Sequence, residues 1–239
     1  MREPVATTIH RKDYTPPPFL ISTVELDVEI RDNDAFVRAR LALTRNPDAR
    51  DQSAPLVLDG DGLALQSIAV DGRKLGAGEY SVDNERLVVH KVPETLRLET
   101  SVIIVPQKNT KLEGLYATKA GFVTQCEAQG FRCITWFIDR PDVMAKYTVT
   151  VRANKDKYPV LLANGNLVGS GQQLGGPPWP SGEDPVPTPP HPSARVPAPP
   201  GSPRARIRVA AGRSWLAPPL PHLQLTGQRH PPGQGWAHT

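Results

Sequence analysis

The 239-residue sequence contains no apolar run close to the roughly 20 residues that a membrane-spanning helix requires. Residues 1–18 carry charges and prolines, and they lack the apolar centre of a signal peptide. Only two cysteines are present, Cys126 and Cys133, too few for a disulfide framework or a four-cysteine zinc site. We therefore expect a cytoplasmic protein with reduced thiols and no membrane partner, long enough to fold around an apolar core.

A broad positive field is also missing, although the net charge is +4. Residues 1–171 hold 22 Lys and Arg against 22 Asp and Glu, so this part is neutral. The excess comes from residues 172–239, where six arginines face only Glu183 and Asp184. A neutral body does not attract phosphates over a wide surface, so we expect no nucleic-acid partner.

The composition changes near Gly171. Of the 27 prolines, 17 follow this point, and no lysine does. Segment 177–203 is rich in Pro, Ala, Ser and Arg, and its apolar residues follow neither a two-residue nor a 3.6-residue period. The sequence therefore predicts an extended segment at 1–18, a β-domain at 19–171, and a disordered Pro/Ala/Arg-rich tail at 172–239.

Apolar and polar residues alternate through most of 19–171, which is typical of strands with one wet face. Residues 24–30 alternate in this way, Asp32-Asn33-Asp34 supplies a turn, and the alternation returns at 35–43, which predicts a hairpin. Further short apolar stretches end in Asp, Asn or Gly, as at Asp59-Gly60-Asp61-Gly62. No convincing helix is present. The sequence predicts an all-β fold, an antiparallel β-sandwich.

Four blocks, in a fixed order and spacing, carry more specific information: Glu113-Gly114-Leu115-Tyr116, residues 124–132, residues 139–143, and residues 158–166. The series resembles the amino-terminal domain of bacterial aminopeptidase N, a zinc metallopeptidase of the gluzincin type, over about residues 8–171. The resemblance implies a saddle-like β-domain, incomplete here, which in the full-length family precedes a thermolysin-like catalytic domain.

The resemblance also implies two substrate-binding residues. In the family, the glutamate of a Gln-x-Glu motif binds the free α-amino group of the peptide, and the glutamine lines the first specificity pocket; these match Glu127 and Gln125. A carboxylate recognises an ammonium through charge-assisted hydrogen bonds and fixes which peptide bond is presented for cleavage. From spacing alone, Glu127 is instead expected to form a solvated surface pair with Arg132.

Two further blocks have structural interpretations. Pro141 is expected to fix a turn, and Asp139 to cap that turn or pair with a basic neighbour. Asn164-Gly165-Asn166 is expected to form a hairpin turn in which Gly165 takes a positive φ.

The zinc site of the family is not found in the sequence. The His-Glu-x-x-His motif places two imidazoles one helical turn apart around a glutamate base, yet none of the six histidines is followed by glutamate. The Gly-x-Met-Glu-Asn motif is also absent, because the only methionines are Met1 and Met144. We therefore expect a truncated, inactive chain without catalytic or metal residues, whose full-length family binds zinc and releases N-terminal amino acids from peptides.

Three hypotheses concern what lies beyond the β-domain. The composition after 169–175 fits translation of a GC-rich gene out of its reading frame. Alternatively, the chain is a non-enzymatic β-sandwich binding module, whose Pro-rich stretch 197–203 recruits an SH3-like or anionic partner in polyproline II conformation. In a third case, the chain complements a separately encoded catalytic fragment.

Overall fold

The computed structural model describes residues 14–172, with the backbone alone at 171–172, and the backbone of 195–197, 205–211 and 225–226. The described residues form sixteen strands: β1 (Phe19–Ile30), β2 (Ala35–Arg45), β3 (Leu56–Asp59), β4 (Ala64–Val70), β5 (Arg73–Lys74), β6 (Tyr80–Val82), β7 (Arg86–Val89), β8 (Thr95–Ile104), β9 (Gly114–Thr118), β10 (Gly121–Gln125), β11 (Lys146–Ala153), β12 (Val160–Leu162), β13 (Asn166–Gln172), β14 (Arg195–Pro197), β15 (Ala205–Ala211) and β16 (Leu225–Thr226). Two 3₁₀ turns, Pro106–Lys108 and Phe131–Cys133, are the helical elements of this part. Within it, no helix has the length and apolarity to cross a membrane.

The strands form three sheets. The largest has eight strands in the order β13-β15-β11-β1-β2-β8-β4-β5, the second five in the order β14-β12-β16-β10-β9, and the third three in the order β3-β7-β6. The all-β prediction is confirmed. One pair departs from the antiparallel pattern, because β1 lies parallel to β11. The chain passes through the five-stranded sheet before β11 returns to the large sheet, so β11 is free to run either way beside β1.

The hairpin predicted around Asp32-Asn33-Asp34 is present as β1 and β2, closed by a 2.9 Å hydrogen bond from the Arg31 N–H to the Asp34 carbonyl. On its inward face, Val24, Leu26 and Val37 are at most 2% exposed. Burial of each such side chain contributes about 1.5–3 kcal/mol. The alternation therefore sets the register, because a shift by one residue would turn this face to solvent.

The eight-stranded sheet packs against the five-stranded sheet. A cavity of about 20 Å³ between them is lined by Leu26 and Val28 from β1, Leu115 from β9, and Ile134, among other residues. The segment that follows β10 lies in this interior, and Phe131, Trp136 and Phe137 are fully buried in it. The core thus forms where the two larger sheets and this segment meet.

The predicted division into three parts stays a prediction, but the structure bears on its ends. Residues 14–18 contain no strand, and β1 begins at Phe19. In the tail, where no regular structure was predicted, β15 lies between β11 and β13. The reason is local: Ala205-Arg206-Ile207-Arg208-Val209 alternates with the two-residue period of a strand, which the prolines around it obscure. Residues 1–13, 173–194, 198–204, 212–224 and 227–239 lie outside the described part.

The hairpin predicted at Asn164-Gly165-Asn166 is wrong. Gly165 does take a positive φ, of 98°. However, the strands on either side belong to different sheets, since β12 lies in the five-stranded sheet and β13 in the eight-stranded sheet. The bend at Gly165 therefore carries the chain from one layer to the other.

Candidate functional site

Gln125 and Glu127 lie on a tight turn, residues 125–130, at the end of β10. Gln125 is the last residue of β10 and is paired with Gly114 of β9. The Gly130 N–H donates to the Cys126 carbonyl at 2.9 Å, which closes the turn. The peptide bond between Glu127 and Ala128 is cis. The fold thus presents residues 127–129 as a short loop on the end of a strand.

Two glycines allow the backbone of turn 125–130 to approach its neighbours. A Cβ at Gly130 would lie 2.6 Å from the Gln125 carbonyl oxygen. At Gly114, where φ is +68°, a Cβ would lie 2.4 Å from the Cβ of Cys133. Neither approach tolerates a side chain, so glycine is required at position 130, within the turn, and at position 114, opposite Gln125 on β9.

The turn carries two acceptors without described donors. Gln125 is half-buried, and its buried Oε1 atom has no hydrogen-bond partner among the described residues. Glu127 is half-buried too, and its carboxylate makes no hydrogen bond or ion pair with a described residue. Ala128 and Gln129 are exposed. A buried acceptor left unpaired costs about 1–3 kcal/mol. Acceptors held open in this way suit a donor-rich cation, and an ammonium group is one.

Arg132, the expected surface neighbour of Glu127, pairs with another residue. Its Nε lies 3.0 Å from Oδ2 of Asp139, its backbone N–H donates to the same oxygen at 3.1 Å, and its Nη2 donates to the Asp139 carbonyl at 3.1 Å. The prediction that Asp139 pairs with a basic neighbour is confirmed, and the Glu127–Arg132 pairing is wrong. Burial decides between the two acids, because the Asp139 side chain is 1% exposed and its charge must be compensated.

Asp59 completes the cluster around Arg132. Its Oδ2 accepts a hydrogen bond from the Asp139 N–H at 3.2 Å and lies 3.9 Å from Nη2 of Arg132. Burial raises the pKa of Asp139 above its ordinary value, an effect that the hydrogen bonds from Arg132 oppose. From the sequence, Asp59 is predicted only to lie in a turn. Because Asp59 and Arg132 are far apart in the chain, the sequence does not predict that they are in contact.

The block at 139–143 forms the predicted turn. The Val143 N–H donates to the Arg140 carbonyl at 3.2 Å across Pro141. Arg140 forks onto Asp142, with its Nε 2.9 Å from Oδ1 and its Nη2 2.6 Å from Oδ2. The Tyr14 hydroxyl also donates to Asp142, at 3.0 Å. This second Arg–Asp pair holds the chain entering β1, and its described contacts do not reach turn 125–130.

The described residues do not fit the zinc ion of the related enzymes. No group of three His, Cys, Asp or Glu side chains in the described part is arranged to hold a metal. The histidine nearest the centre of the sequence, His90, is exposed beside Arg45 and Lys91 in an open polar cleft. Burial raises the pKa of Cys133 to about 11 and that of Cys126 further, so the fold disfavours the thiolate form at both positions.

Comparison with known proteins identifies relatives of the β-domain. Residues 20–176 match the family described as Peptidase M1 N-terminal domain. Aminopeptidase N of Caulobacter vibrioides is 44% identical over 189 residues, which cover 79% of this chain and 21% of the relative. Aminopeptidase N of Escherichia coli is 38% identical over 180 residues, which cover 75% of this chain and 20% of the relative.

Solved structures of M1 peptidases and of a related aminopeptidase contain a domain with the same fold. Aminopeptidase A of Legionella pneumophila, in complex with aspartic acid, superimposes with a TM-score of 0.68 at 25% identity, covering 84% of this chain and 20% of that one. A mutant M1 zinc metallopeptidase of Deinococcus radiodurans bound to the substrate Tyr-Ser-Ala has the same fold, with a TM-score of 0.55 at 16% identity, covering 81% of this chain and 39% of that one. The chain spans about a fifth of the length of the curated relatives that it matches. By sequence and by fold, it belongs to the M1 peptidase family and carries the amino-terminal domain of that family.

Proposed function

We propose that this chain supplies the substrate-anchoring domain of a zinc aminopeptidase, and that turn 125–130 binds the free α-amino group of a peptide. Glu127 accepts charge-assisted hydrogen bonds from the ammonium, and Gln125 lines the pocket for the first side chain. The observation that carries the proposal is the pair of acceptors, on an M1 amino-terminal domain, that have no described donor. An ammonium group offers three donors and a full positive charge to such acceptors.

The ligands of the related structures support this substrate class. The Legionella protein holds aspartic acid, and the Deinococcus protein holds Tyr-Ser-Ala. An amino acid and a free tripeptide share an α-amino group, whereas their side chains differ. The α-amino group is therefore the feature that the ligands of these two proteins share, and Glu127 supplies an acceptor for such a group.

We further propose that the chain alone neither binds the zinc ion of its relatives nor cleaves peptides. The sequence has no His-Glu-x-x-His motif. The test is an assay with fluorogenic alanine and leucine amides, with added zinc, in which we expect no turnover. Turnover that disappears on chelation would contradict the proposal.

A separately encoded catalytic fragment of an M1 peptidase is the partner that we propose for this chain. Co-expression with such a fragment should restore chelator-sensitive activity that neither piece shows alone. A cytoplasmic location is part of the same proposal, since the substrates would be intracellular peptides. The alternative of partner recruitment by the Pro-rich stretch 197–203 stays a prediction, because only the backbone of Pro197, the end of β14, belongs to the described part.

The binding experiment compares two peptides that differ only at the amino terminus. ¹⁵N-labelled full-length protein is titrated with Tyr-Ser-Ala and with its N-acetylated form. We expect the free peptide to shift the amide resonances of turn 125–130 with a dissociation constant on the order of millimolar, because one charged contact supplies little affinity. The acetylated peptide should leave these resonances unchanged.

Two variants give the matched control. Glu127→Gln removes the charge from the turn, and the response to the free peptide should disappear. Glu113→Gln removes an equal charge from an exposed residue outside the turn, and the response should remain. Equal responses to the two peptides, or an undiminished response in E127Q, would show that the ammonium is not bound there.

A further inference from the structure

The two ends of turn 125–130 are supported differently. The first end, Gln125, belongs to β10 and is held by the ladder with β9. The second end, Gly130, leads into the 3₁₀ turn Phe131–Cys133, which is not part of any described strand. The position of residues 127–129 depends on both ends, so the second end needs another support.

Arg132 provides this support through its backbone and its side chain together. Its N–H and its Nε both donate to Oδ2 of Asp139, at 3.1 and 3.0 Å, while its Nη2 donates to the Asp139 carbonyl at 3.1 Å. Its own carbonyl accepts a hydrogen bond from the Asp61 N–H at 3.0 Å. A planar guanidinium has the fixed donor geometry that such a multiple contact requires.

The cluster connects this end of the turn to a second sheet. Asp59 is the last residue of β3, in the three-stranded sheet, and it exchanges backbone hydrogen bonds of 2.7 and 3.1 Å with Phe137. Its carboxylate receives the Asp139 N–H. Gln125 belongs to the five-stranded sheet instead. One end of the turn is therefore fixed to the five-stranded sheet and the other to the three-stranded sheet.

We propose that Arg132, held by Asp139 and Asp59, is a positioning residue that fixes where turn 125–130 presents the Glu127 carboxylate. The proposal rests on the proposed function of Glu127 in binding an ammonium. Arg132 itself does not touch the substrate. Without the side-chain contacts of Arg132, the backbone bonds between Asp59 and Phe137 remain, but the second end of the turn is held less firmly, and Glu127 is no longer fixed where an incoming α-amino group meets it.

A purely stabilising ion pair is the competing explanation, and the molecule contains a matched control for it. Arg140 and Asp142 form a second Arg–Asp fork a short way along the chain, with contacts to Tyr14 and Thr15 rather than to the turn. The same substitution is made in each pair. An effect that follows any loss of an Arg–Asp ion pair appears in both, whereas loss of support for turn 125–130 appears only in the Arg132–Asp139 pair.

The experiment uses the full chain with Arg132→Lys and Asp139→Asn, against Arg140→Lys and Asp142→Asn. Two signals are measured by NMR: hydrogen exchange of the Gly130 amide, and the response of turn 125–130 to free Tyr-Ser-Ala. In R132K and D139N we expect Gly130 to exchange about tenfold faster, the equivalent of one lost hydrogen bond to a charged group. The peptide response should weaken, while the amides of β1 keep their wild-type exchange. R140K and D142N should change neither signal.

Other outcomes are decisive as well. An R132K protein with wild-type exchange at Gly130 and a wild-type peptide response would overturn the proposal. So would equal acceleration at Gly130 and throughout β1, because this is the signature of a general loss of stability. If R132K does not fold, D139N carries the test, since it keeps the volume and one acceptor oxygen. If the wild-type chain ignores the free peptide while R132K selectively accelerates Gly130, the ammonium site is refuted and Arg132 still positions the turn.

Discussion

Turn 125–130 and the segment 131–139 follow each other in the chain, yet their surroundings are opposite. In the turn, Glu127 is half-buried and the two residues after it are exposed, with acceptor oxygens that have no described donor. In the segment, every residue except Arg132 and Cys133 is buried. A group kept open for a ligand contributes nothing to folding, so the neighbouring segment must hold it in place.

The packing of segment 131–139 shows how this is done. Phe131 meets Phe137 edge to face at 4.9 Å and meets Tyr147 of β11 at 5.9 Å. Trp136 lies against Gly60, where a Cβ would be only 2.2 Å from the indole ring. Such aromatic pairs add about 0.5–1.5 kcal/mol beyond the area that they bury. The segment thus anchors the turn through its apolar contacts as well as through Arg132.

The largest effect is expected from Trp136→Ala. The indole is fully buried, so its removal leaves a cavity and should cost about 3–5 kcal/mol, much of the 5–15 kcal/mol that holds a typical domain folded. Trp136→Phe is the matched control and should cost only about 1–2 kcal/mol, because the indole Nε1 has no described acceptor to lose. Urea unfolding followed by far-UV circular dichroism measures both. A W136A protein as stable as the wild type would show that the packing of segment 131–139 does not hold turn 125–130 in place.

Those parts of the fold and of the candidate site that depend on residues close together in the chain can be predicted from the sequence. Alternation predicts β1 and β2, because one buried face per strand repeats every second residue. Gly165 has the predicted positive φ. Family resemblance in the Gln-x-Glu spacing selects Gln125 and Glu127 as candidate site residues, and their role stays a prediction. In each case, residues close together in the chain carry the information.

The contacts that the sequence does not reveal are those between distant residues. Asp59 joins Arg132 and Asp139 only because β3 ends beside segment 131–139. Spacing suggested Glu127 as the partner of Arg132, whereas burial of Asp139 makes that acid the one that needs a cation. The parallel pairing of β1 with β11 likewise depends on how the layers stack. Local periodicity carries no information on any of these.

An alkaline pH titration tests the burial of segment 131–139, and its expected effect on stability is smaller than that of Trp136→Ala. Burial raises the pKa of Cys133 in the segment to about 11 from an ordinary 9.0, and it also raises the pKa of Tyr147. The unfolded chain therefore releases these protons first, and stability falls as pH rises. For Cys133 the stabilising contribution is complete below about pH 9 and is lost as pH rises through about 11.

The measurement is the urea midpoint between pH 8 and pH 11, for the wild type and for Cys133→Ala. We expect the midpoint of C133A to fall less steeply, since one half-buried thiol no longer resists ionisation. Cys126 contributes with the same sign and keeps part of the slope in the variant. Identical slopes in the two proteins would mean that Cys133 is as accessible to solvent as an unfolded thiol, contrary to its half-buried position.

The smallest effect on stability is expected from Glu127→Gln, and it is the most direct test of the open turn. Because the carboxylate has no described hydrogen bond or ion pair, replacing it with an amide of the same shape should change the free energy of unfolding by no more than about 0.5 kcal/mol. The urea midpoint at neutral pH measures this. A loss of more than about 1 kcal/mol would mean that Glu127 has a partner within the fold. In that case the carboxylate is a structural group like Asp139, and an ammonium would have to displace its partner in order to bind.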